Sequence, residues 1–137
     1  MILGAIALLF TTTIMAQKNE EQAIEKTIRA FAKAGDENNA NELEKHLDAN
    51  YRIAMNQLFG STEVSIMPRA VYLEKIRTKE FGGDERTVSI KSISVNGNTA
   101  SAHVIMEGSK MTLNTIFTFI KDKNGVWKVL SDMPVIG

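Results

Sequence analysis

The side chains best suited to acid–base chemistry in this sequence are two histidines, His46 and His103, and the carboxyl group of Asp132. An unperturbed histidine titrates near neutrality, and a carboxyl group inside a cavity can be tuned toward it. His103 alternates with Ala102 and Val104 on a predicted strand, which puts it on the outer sheet face if the apolar face is internal. With the faces inverted, it would enter a pocket. Asp132 falls near the end of the last predicted strand, where exposure to solvent is expected. His103 and Asp132 are the catalytic candidates.

Other reactive groups are excluded or unsupported. His46 follows Glu42 by four residues on a predicted helix, so a Glu–His pair at the helix edge is expected. The histidines are far apart and lack a third ligand at metal-binding spacing, so no metal site is predicted. There is no cysteine, which excludes thiol catalysis and disulfides. We find no glycine-rich phosphate loop and no Ser–His–Asp arrangement, and no cofactor is predicted. Asp48 is expected to be a surface carboxylate at a helix end.

A pocket is predicted from the large apolar side chains, most of which should belong to the core. A lining of aromatic and methionine side chains would suit a flat, partly apolar small molecule. Arg52 or Arg69 could meet an anionic group of such a ligand. By strict strand alternation, Asp132 and Trp127 point to opposite faces, so both could face inward only if a bulge lay between them. The pocket candidates are Tyr51, Met55, Phe59, Tyr72 and Trp127.

Hydropathy patterns predict three helices and six strands. The helices should cover Asn19–Ala34 with Gly35 as the stop, a short segment capped by Asn41, and a segment from Pro68 to Phe81. A bulge is expected near Ser92, and Asn96-Gly97 predicts a hairpin. The resulting order, α-α-β-β-α-β-β-β-β, predicts one α+β domain whose helices pack on a curved, mostly antiparallel sheet. The strands are predicted at Tyr51–Leu58, Glu63–Met67, Thr87–Val95, Ala100–Met106, Leu113–Ile120 and Val126–Met133.

The first sixteen residues are predicted to lie outside this domain. They carry no charge, and the apolar run from Ile2 to Phe10 is too short to cross a bilayer. Small residues and a polar stretch follow, as in a secretory signal peptide, although no Lys or Arg precedes the run. We therefore expect export to a periplasmic or secreted location, cleavage after Ala16, and a mature domain of residues 17–137.

The balance of charge restricts the partners. The 137 residues include 16 Lys and Arg and 16 Asp and Glu, so the formal net charge is zero. Nucleic-acid binding is not expected, because phosphate contacts require a surplus of basic side chains on one face. Binding of the mature chain to an anionic membrane is not expected for the same reason.

The hairpin Ile93–Ala100 and the final segment Asn124-Gly-Val-Trp-Lys-Val129 complete a recognisable pattern. With the element order, they resemble the nuclear transport factor 2-like, cystatin-like cone superfamily. Within the superfamily, the pattern resembles that of small exported bacterial members labelled polyketide-cyclase-like or lumazine-binding. The resemblance covers Glu20 to Val135. It implies a cone-shaped α+β barrel with a pocket between the helices and the concave sheet face.

The resemblance leaves the activity open, because this fold carries many functions. Isomerase-like members place an acid on the strand after the second helix and a phenol on the first helix. Here the matching strand, Tyr51–Asn56, has no acid, and the first helix has no Tyr or His. The sequence therefore favours a domain that binds a small apolar or aromatic molecule without catalysis. The alternatives are an isomerase, dehydratase or cyclase using His103 or Asp132, and an interaction module that forms a homodimer through Ser101, His103 and Ile105 on the outer sheet face.

Overall fold

The computed structural model describes residues 2–137, with side chains from residue 11 onward. Met1 and the side chains of residues 2–10, which belong to the predicted signal peptide, lie outside the described part. The described chain contains three helices and six strands in the predicted order. Their bounds are α1 Ile2–Asp36, α2 Ala40–Lys45, β1 Leu47–Asn56, β2 Val64–Pro68, α3 Arg69–Arg77, β3 Thr87–Asn96, β4 Thr99–Glu107, β5 Thr112–Lys121 and β6 Trp127–Ile136.

The strands form a single sheet in the order β2-β1-β6-β5-β4-β3. All neighbours are antiparallel except β1 and β6, which pair in parallel. The sheet therefore has two parts, the hairpin β1–β2 and the meander β3–β6, joined along that parallel pair. The apolar β5 lies inside the sheet, as its two occupied faces predicted.

The predicted hairpin and bulge are both confirmed. Asn96 pairs with Thr99 across a two-residue loop, and Gly97 has a positive φ of 62°. Ile90 pairs with Val104 but Ser92 pairs with His103, so Lys91 is the extra residue. The shift brings both apolar pairs of β3 onto the concave face.

Helix α1 and the concave face of the sheet form the core. Ile24, Ile28 and Phe31, spaced at one helical turn, are almost completely buried. Tyr72, Leu73 and Ile76 of α3 are buried in the same cluster, as predicted. Alternate residues of β4, from Ala100 to Met106, provide the facing wall. Removing this apolar surface from water is the main driving force for the fold.

The helix boundaries differ from the prediction in three places. α1 begins at Ile2, so Asn19 lies within the helix and does not cap it, and Gly35 is still helical. The cap of α2 is Asn39, whose side chain accepts a hydrogen bond from the Glu42 amide, and not Asn41. α3 ends at Arg77, before the predicted stop. The chain still needs Gly82, because a Cβ there would lie 2.3 Å from the carbonyl oxygen of Gly35.

A polar clamp attaches α1 to the sheet at Glu20. The Lys121 ammonium and the Trp127 indole N–H each donate to the Glu20 carboxylate over 2.5 Å. These bonds lower the pKa of Glu20, the bond from Lys121 contributing most. Residues 11–19, which precede the clamp, are exposed. Packing of α1 against the domain thus begins at Glu20. Within residues 2–137, no helix has the length and hydropathy that crossing a bilayer requires.

We expect Trp127→Ala to destabilise the fold by roughly 3–5 kcal/mol, because it removes a buried ring and leaves Glu20 without one donor. Urea unfolding followed by circular dichroism measures the change. The adjacent Val126→Ala is the control, since Val126 is largely exposed. An unchanged urea midpoint for Trp127→Ala would contradict this role of Trp127.

Candidate functional site

A cavity of about 180 Å³ lies between the helices and one end of the concave sheet face. Its walls are mostly apolar side chains from α1, α3 and four of the strands. The exposed side chains of Phe59, Lys110 and Met111 line it as well and so mark its mouth. The interior is lined by Phe31, Ile53, Tyr72, Ile76, Met106 and Asp132.

Asp132 is buried and faces this cavity, with only 6% of its surface exposed. The expectation that it lies exposed at a strand end is therefore wrong, for two reasons. β6 continues to Ile136, so Asp132 lies within the strand. The β5–β6 register also shifts, since Phe119 pairs with Val129 but Thr118 pairs with Ser131, which leaves Leu130 as an extra residue. This bulge changes the alternation, so Trp127 and Asp132 both face the concave side.

A hydrogen bond from Thr115 fixes one oxygen of the Asp132 carboxyl group. Thr115 of β5, itself buried, donates a hydrogen bond from Oγ1 to Oδ1 of Asp132. The second oxygen, Oδ2, has no hydrogen-bond partner among the described residues. Burial raises the pKa of Asp132 from 3.8 to about 6, although the Thr115 hydrogen bond and the charge of Arg86 oppose the rise.

Two phenols lie close enough to the carboxyl group to feel its charge. The rings of Tyr51, on β1, and Tyr72, on α3, have centroids 5.5 Å apart, and Phe31 stacks against Tyr72 at 6.3 Å. Burial and the negative charge of Asp132 raise the pKa of both phenols, so they stay protonated at neutral pH. The Tyr51 hydroxyl is fully enclosed and has no hydrogen-bond partner in the part of the chain that the structure describes. Such an unpaired buried group carries a desolvation cost and is typical of functional sites.

The cavity is bordered by an ion pair between Arg86 and Asp36. Arg86 Nε donates to Asp36 Oδ1 over 2.5 Å, and both side chains are nearly buried. The Arg86 backbone N–H also donates to Asp36, and Nη2 donates to the carbonyl oxygen of Ala32. The chain entering β3 is therefore fixed to the end of α1, with the guanidinium already paired.

The β4–β5 loop is attached to the same segment at the mouth. Asp84 accepts hydrogen bonds from the Ser109 hydroxyl at 2.7 Å and from the Lys110 backbone amide at 3.0 Å. These bonds, the one from the Lys110 amide first, lower the pKa of Asp84. Gly108 is required there, because a Cβ would lie 2.2 Å from Asp84 Oδ2.

The β1–β2 loop forms the other side of the mouth. Gln57 and Phe59 have positive φ angles of 54° and 55°, a region that non-glycine residues rarely occupy. Leu58 and Phe59 line the cavity, although Phe59 is 72% exposed. A strained loop with an exposed aromatic ring is typical of segments that contact ligands.

The structure brings together three of the five pocket candidates. Met55, Phe59 and Tyr72 line the cavity, and Tyr51 lies behind the lining, against Tyr72. Trp127 does not line the cavity, contrary to our expectation. It is buried away from the mouth, where its indole N–H donates to Glu20. It faces the concave side, but at the opposite end of β6 from Asp132.

The other candidates lie outside the cavity. His103 is on the outer face, where its Nε2 lies 2.7 Å from Asn114 Oδ1. His46 pairs with Glu42 at 3.3 Å, as the spacing predicted. Arg52 is exposed and donates to the Asn50 carbonyl, while Arg69 pairs with Glu44. Residues 2–137 contain no cluster of carboxylate and histidine side chains that could hold a metal ion.

Sequence reasoning missed the polar partners of the site. Thr115 lies in a strand whose sequence is mostly apolar. The hydrogen bond of its side chain to Asp132 depends on the bulge at Leu130. Arg86 and Asp36 are fifty positions apart, and no local pattern joins them. Asp84 follows Gly82 and Gly83, and this pair of glycines indicated only the end of a helix. Their roles depend on contacts between distant segments.

Comparison with known proteins gives the family. The chain matches the family described as "Putative lumazine-binding" over residues 19–133. The chain belongs to this family. A search of the curated proteins finds no match.

Solved structures agree with this family in fold. A nuclear transport factor 2-like protein of unknown function from Shewanella baltica has a TM-score of 0.75 and 17% identity, covering 87% of this chain and 94% of its own. One from Silicibacter pomeroyi has a TM-score of 0.76 and 16% identity, covering 88% and 98%. A protein described as a putative ketosteroid isomerase, from Shewanella frigidimarina, has a TM-score of 0.61 and 16% identity, covering 82% and 94%. The chain therefore has the nuclear transport factor 2-like fold.

We expect Asp132→Asn to stabilise the protein at pH 7.5 but not at pH 4. The folded carboxyl group keeps its proton up to about pH 6, whereas the unfolded one loses it near 3.8, so stability falls as pH rises through this window. The variant, which cannot ionise, should gain up to about 3 kcal/mol at pH 7.5. Urea unfolding at both pH values measures the difference.

The matched control is Asp122→Asn in the β5–β6 turn. The Val126 amide and then the Asn124 amide lower the pKa of Asp122. Its ionised form is therefore favoured by folding, and this substitution should lower stability at pH 7.5 relative to pH 4, the opposite sign. If Asp132→Asn gave the same change at both pH values, the shifted pKa of Asp132 would be contradicted.

Proposed function

We propose that this protein binds a small, flat, partly apolar molecule in the cavity lined by Tyr72 and Asp132. The observation that carries the proposal is an apolar cavity with a mouth and a single buried carboxyl group on its inner wall. Ligand sites typically combine apolar walls with a few oriented polar groups. A volume of about 180 Å³ lies below the usual range for drug-sized ligands, so the occupant is a compact ring system.

The family description supports the same class of ligand. Lumazine is a flat fused-ring heterocycle, and its family description names it as a ligand. The aromatic side chains of Phe31, Phe59 and Tyr72 line the cavity and offer ring faces to such a molecule. Lumazine is therefore the first compound to test.

We expect Met111→Trp to weaken lumazine binding at least tenfold, because an indole placed at the mouth obstructs entry and occupies ligand volume. Isothermal titration calorimetry with the wild-type protein and the variant measures this. Met111 is 41% exposed, so the fold should tolerate the larger ring.

Two control variants separate the cavity from the rest of the surface. Val126→Trp introduces the same ring at a site that is 48% exposed and does not line the cavity. His103→Ala removes the outer-face histidine. Both should bind lumazine like the wild type. Equal weakening in all three variants, or none in Met111→Trp, would overturn the cavity as the binding site.

A second candidate function is proton transfer, as in an isomerase, dehydratase or cyclase. The raised pKa of Asp132, about 6, favours it, because a base titrating near neutral pH is efficient. Neither histidine reaches the cavity, so Asp132 would have to act with the phenols alone. Turnover of a bound ligand that is lost in Asp132→Asn, with binding retained, would select this function.

We also propose that the protein is exported, with cleavage after Ala16. The exposure of residues 11–19 supports this, because the domain's packing begins at Glu20, three residues beyond the proposed mature terminus, Gln17. The uncharged apolar segment before Ala16 has the composition of a signal peptide.

Homodimer formation through the outer sheet face is a further proposal. Single exposed apolar residues are ordinary, but here several share one face, which is typical of an interaction surface. Ile116 of β5 pairs with Met133 of β6 and with His103 of β4, so the surface is continuous across these three strands. The exposed apolar side chains on this face are Val64, Ile66, Ile116, Met133 and Val135.

Native mass spectrometry of the protein purified from the cell that produces it tests both proposals. We expect chains that begin at Gln17 and assemble as dimers. A chain that retains Met1–Ala16 would contradict cleavage, and a monomer at micromolar concentration would contradict the dimer. A co-purified small molecule would give the ligand's mass directly.

A further inference from the structure

The inner wall of the cavity carries one hydrogen-bond acceptor, on Asp132, and one donor, on Tyr72. Asp132 directs a carboxyl group to the cavity, where Oδ1 accepts from Thr115 and Oδ2 has no partner within residues 11–137. Tyr72 lines the same cavity, and the described residues give its hydroxyl no hydrogen-bond partner. The fully enclosed Tyr51 hydroxyl, also unpartnered, lies behind them. Apart from charged residues such as Arg86, which is paired with Asp36, the lining is mainly apolar, so a bound ligand must satisfy these polar groups.

The protonation states of Asp132 and Tyr72 and the contacts of Arg86 determine which group accepts a hydrogen bond from a ligand and which donates one. An ionised carboxylate can only accept hydrogen bonds, and a neutral phenol can donate one. The Arg86 guanidinium, which also lines the cavity, is engaged by Asp36 and the Ala32 carbonyl. Oδ2 of Asp132 therefore receives no hydrogen bond from Arg86. A ligand that places a donor beside this oxygen gains a charge-assisted hydrogen bond.

From this arrangement we propose that the cavity selects planar rings with an amide or imide edge, the ring N–H donating to Asp132 and the adjacent carbonyl oxygen accepting from Tyr72. The inference rests on the proposed function, since it names the chemistry of the ligand that the cavity holds. It assigns Asp132 and Tyr72 as specificity-determining residues. A ring of the same size and polarity that lacks the N–H is rejected, because Oδ2 is then left buried without a donor.

Phthalimide and N-methylphthalimide are suitable probes. Both are flat bicyclic imides, and they differ in a methyl group that replaces the N–H. We expect phthalimide to bind the wild-type protein at pH 7.5 at least tenfold more tightly than its N-methyl analogue, as for a hydrogen bond to a charged group. In Asp132→Asn this ratio should fall to within twofold. Isothermal titration calorimetry with both probes measures the ratio.

The matched control is His103→Asn, which introduces the same side chain on the outer face of the same sheet. It should keep the wild-type ratio. Tyr72→Phe should weaken phthalimide binding several-fold without abolishing the preference for N–H, since the acceptor on Asp132 remains.

A pH series on the wild-type protein keeps the test independent of any variant's folding. Between pH 7.5 and pH 5 the Asp132 carboxylate takes up a proton and loses its charge, so phthalimide affinity should fall several-fold while the N-methyl analogue is unaffected. The groups that face Asp132 do not share this window. The pKa values of Tyr51 and Tyr72 are raised from 10, and Arg86 is paired with Asp36.

The outcomes distinguish the two levels of the proposal. Equal binding of both probes by the wild-type protein would overturn the selection for an N–H while the binding function stands. A tenfold ratio that persists in Asp132→Asn would overturn the assignment of Asp132. If neither probe bound although lumazine did, the inference would be overturned and the proposed function would stand; if lumazine also failed to bind, both would fail.

Discussion

The shift in register between β5 and β6 decides the chemistry of the cavity. One extra residue, Leu130, allows Trp127 and Asp132 to face the same side of the sheet. At one end of β6 the indole of Trp127 can then reach Glu20 and hold α1. At the other end the carboxyl group of Asp132 enters the cavity beside Thr115. Without the bulge, the alternation of the strand would turn one of these two side chains to the outer face, and the domain would lose either its clamp or its polar group.

Burial of Asp132 has a cost that the rest of the fold offsets. A buried carboxyl group disfavours its charged form, and the Thr115 hydroxyl compensates only one of the oxygens of Asp132. The nearby Arg86 is already committed to Asp36 and lowers the pKa of Asp132 only as a secondary effect. The fold therefore contains one partly unsatisfied polar group, Asp132, beside the apolar cluster that α1, β4 and β5 form. Such local conflicts between sequence and packing are expected at binding sites.

Local patterns in the sequence were enough for the element order, the Asn96–Thr99 hairpin and the bulge at Lys91, because each depends on residues close together in the chain. They also favoured the outer face for His103, with the pocket as the alternative, and placed Tyr72 in the apolar face of α3. The environment of Asp132 could not be predicted, since strict alternation hides a bulge that only pairing with β5 reveals. The start of α1 was missed because Asn19 has the pattern of a cap and the β-branched run Thr11–Thr13 is unfavourable for a helix, yet α1 continues through both. The contacts of Arg86 and Asp84 join distant segments, and no local signal encodes them.

The parallel pairing of β1 with β6 has a consequence for how the molecule folds. Strands β3 to β6 are consecutive antiparallel neighbours, so their pairing closes short loops, whereas β1 and β6 lie about eighty positions apart in the chain. Contacts of such high sequence separation are slow to form, because the loop entropy is lost before the contacts are gained. The meander can therefore assemble ahead of the junction with β1. Since Tyr51, Ile53 and Met55 come from β1 and Asp132 from β6, the cavity exists only after that last junction has closed.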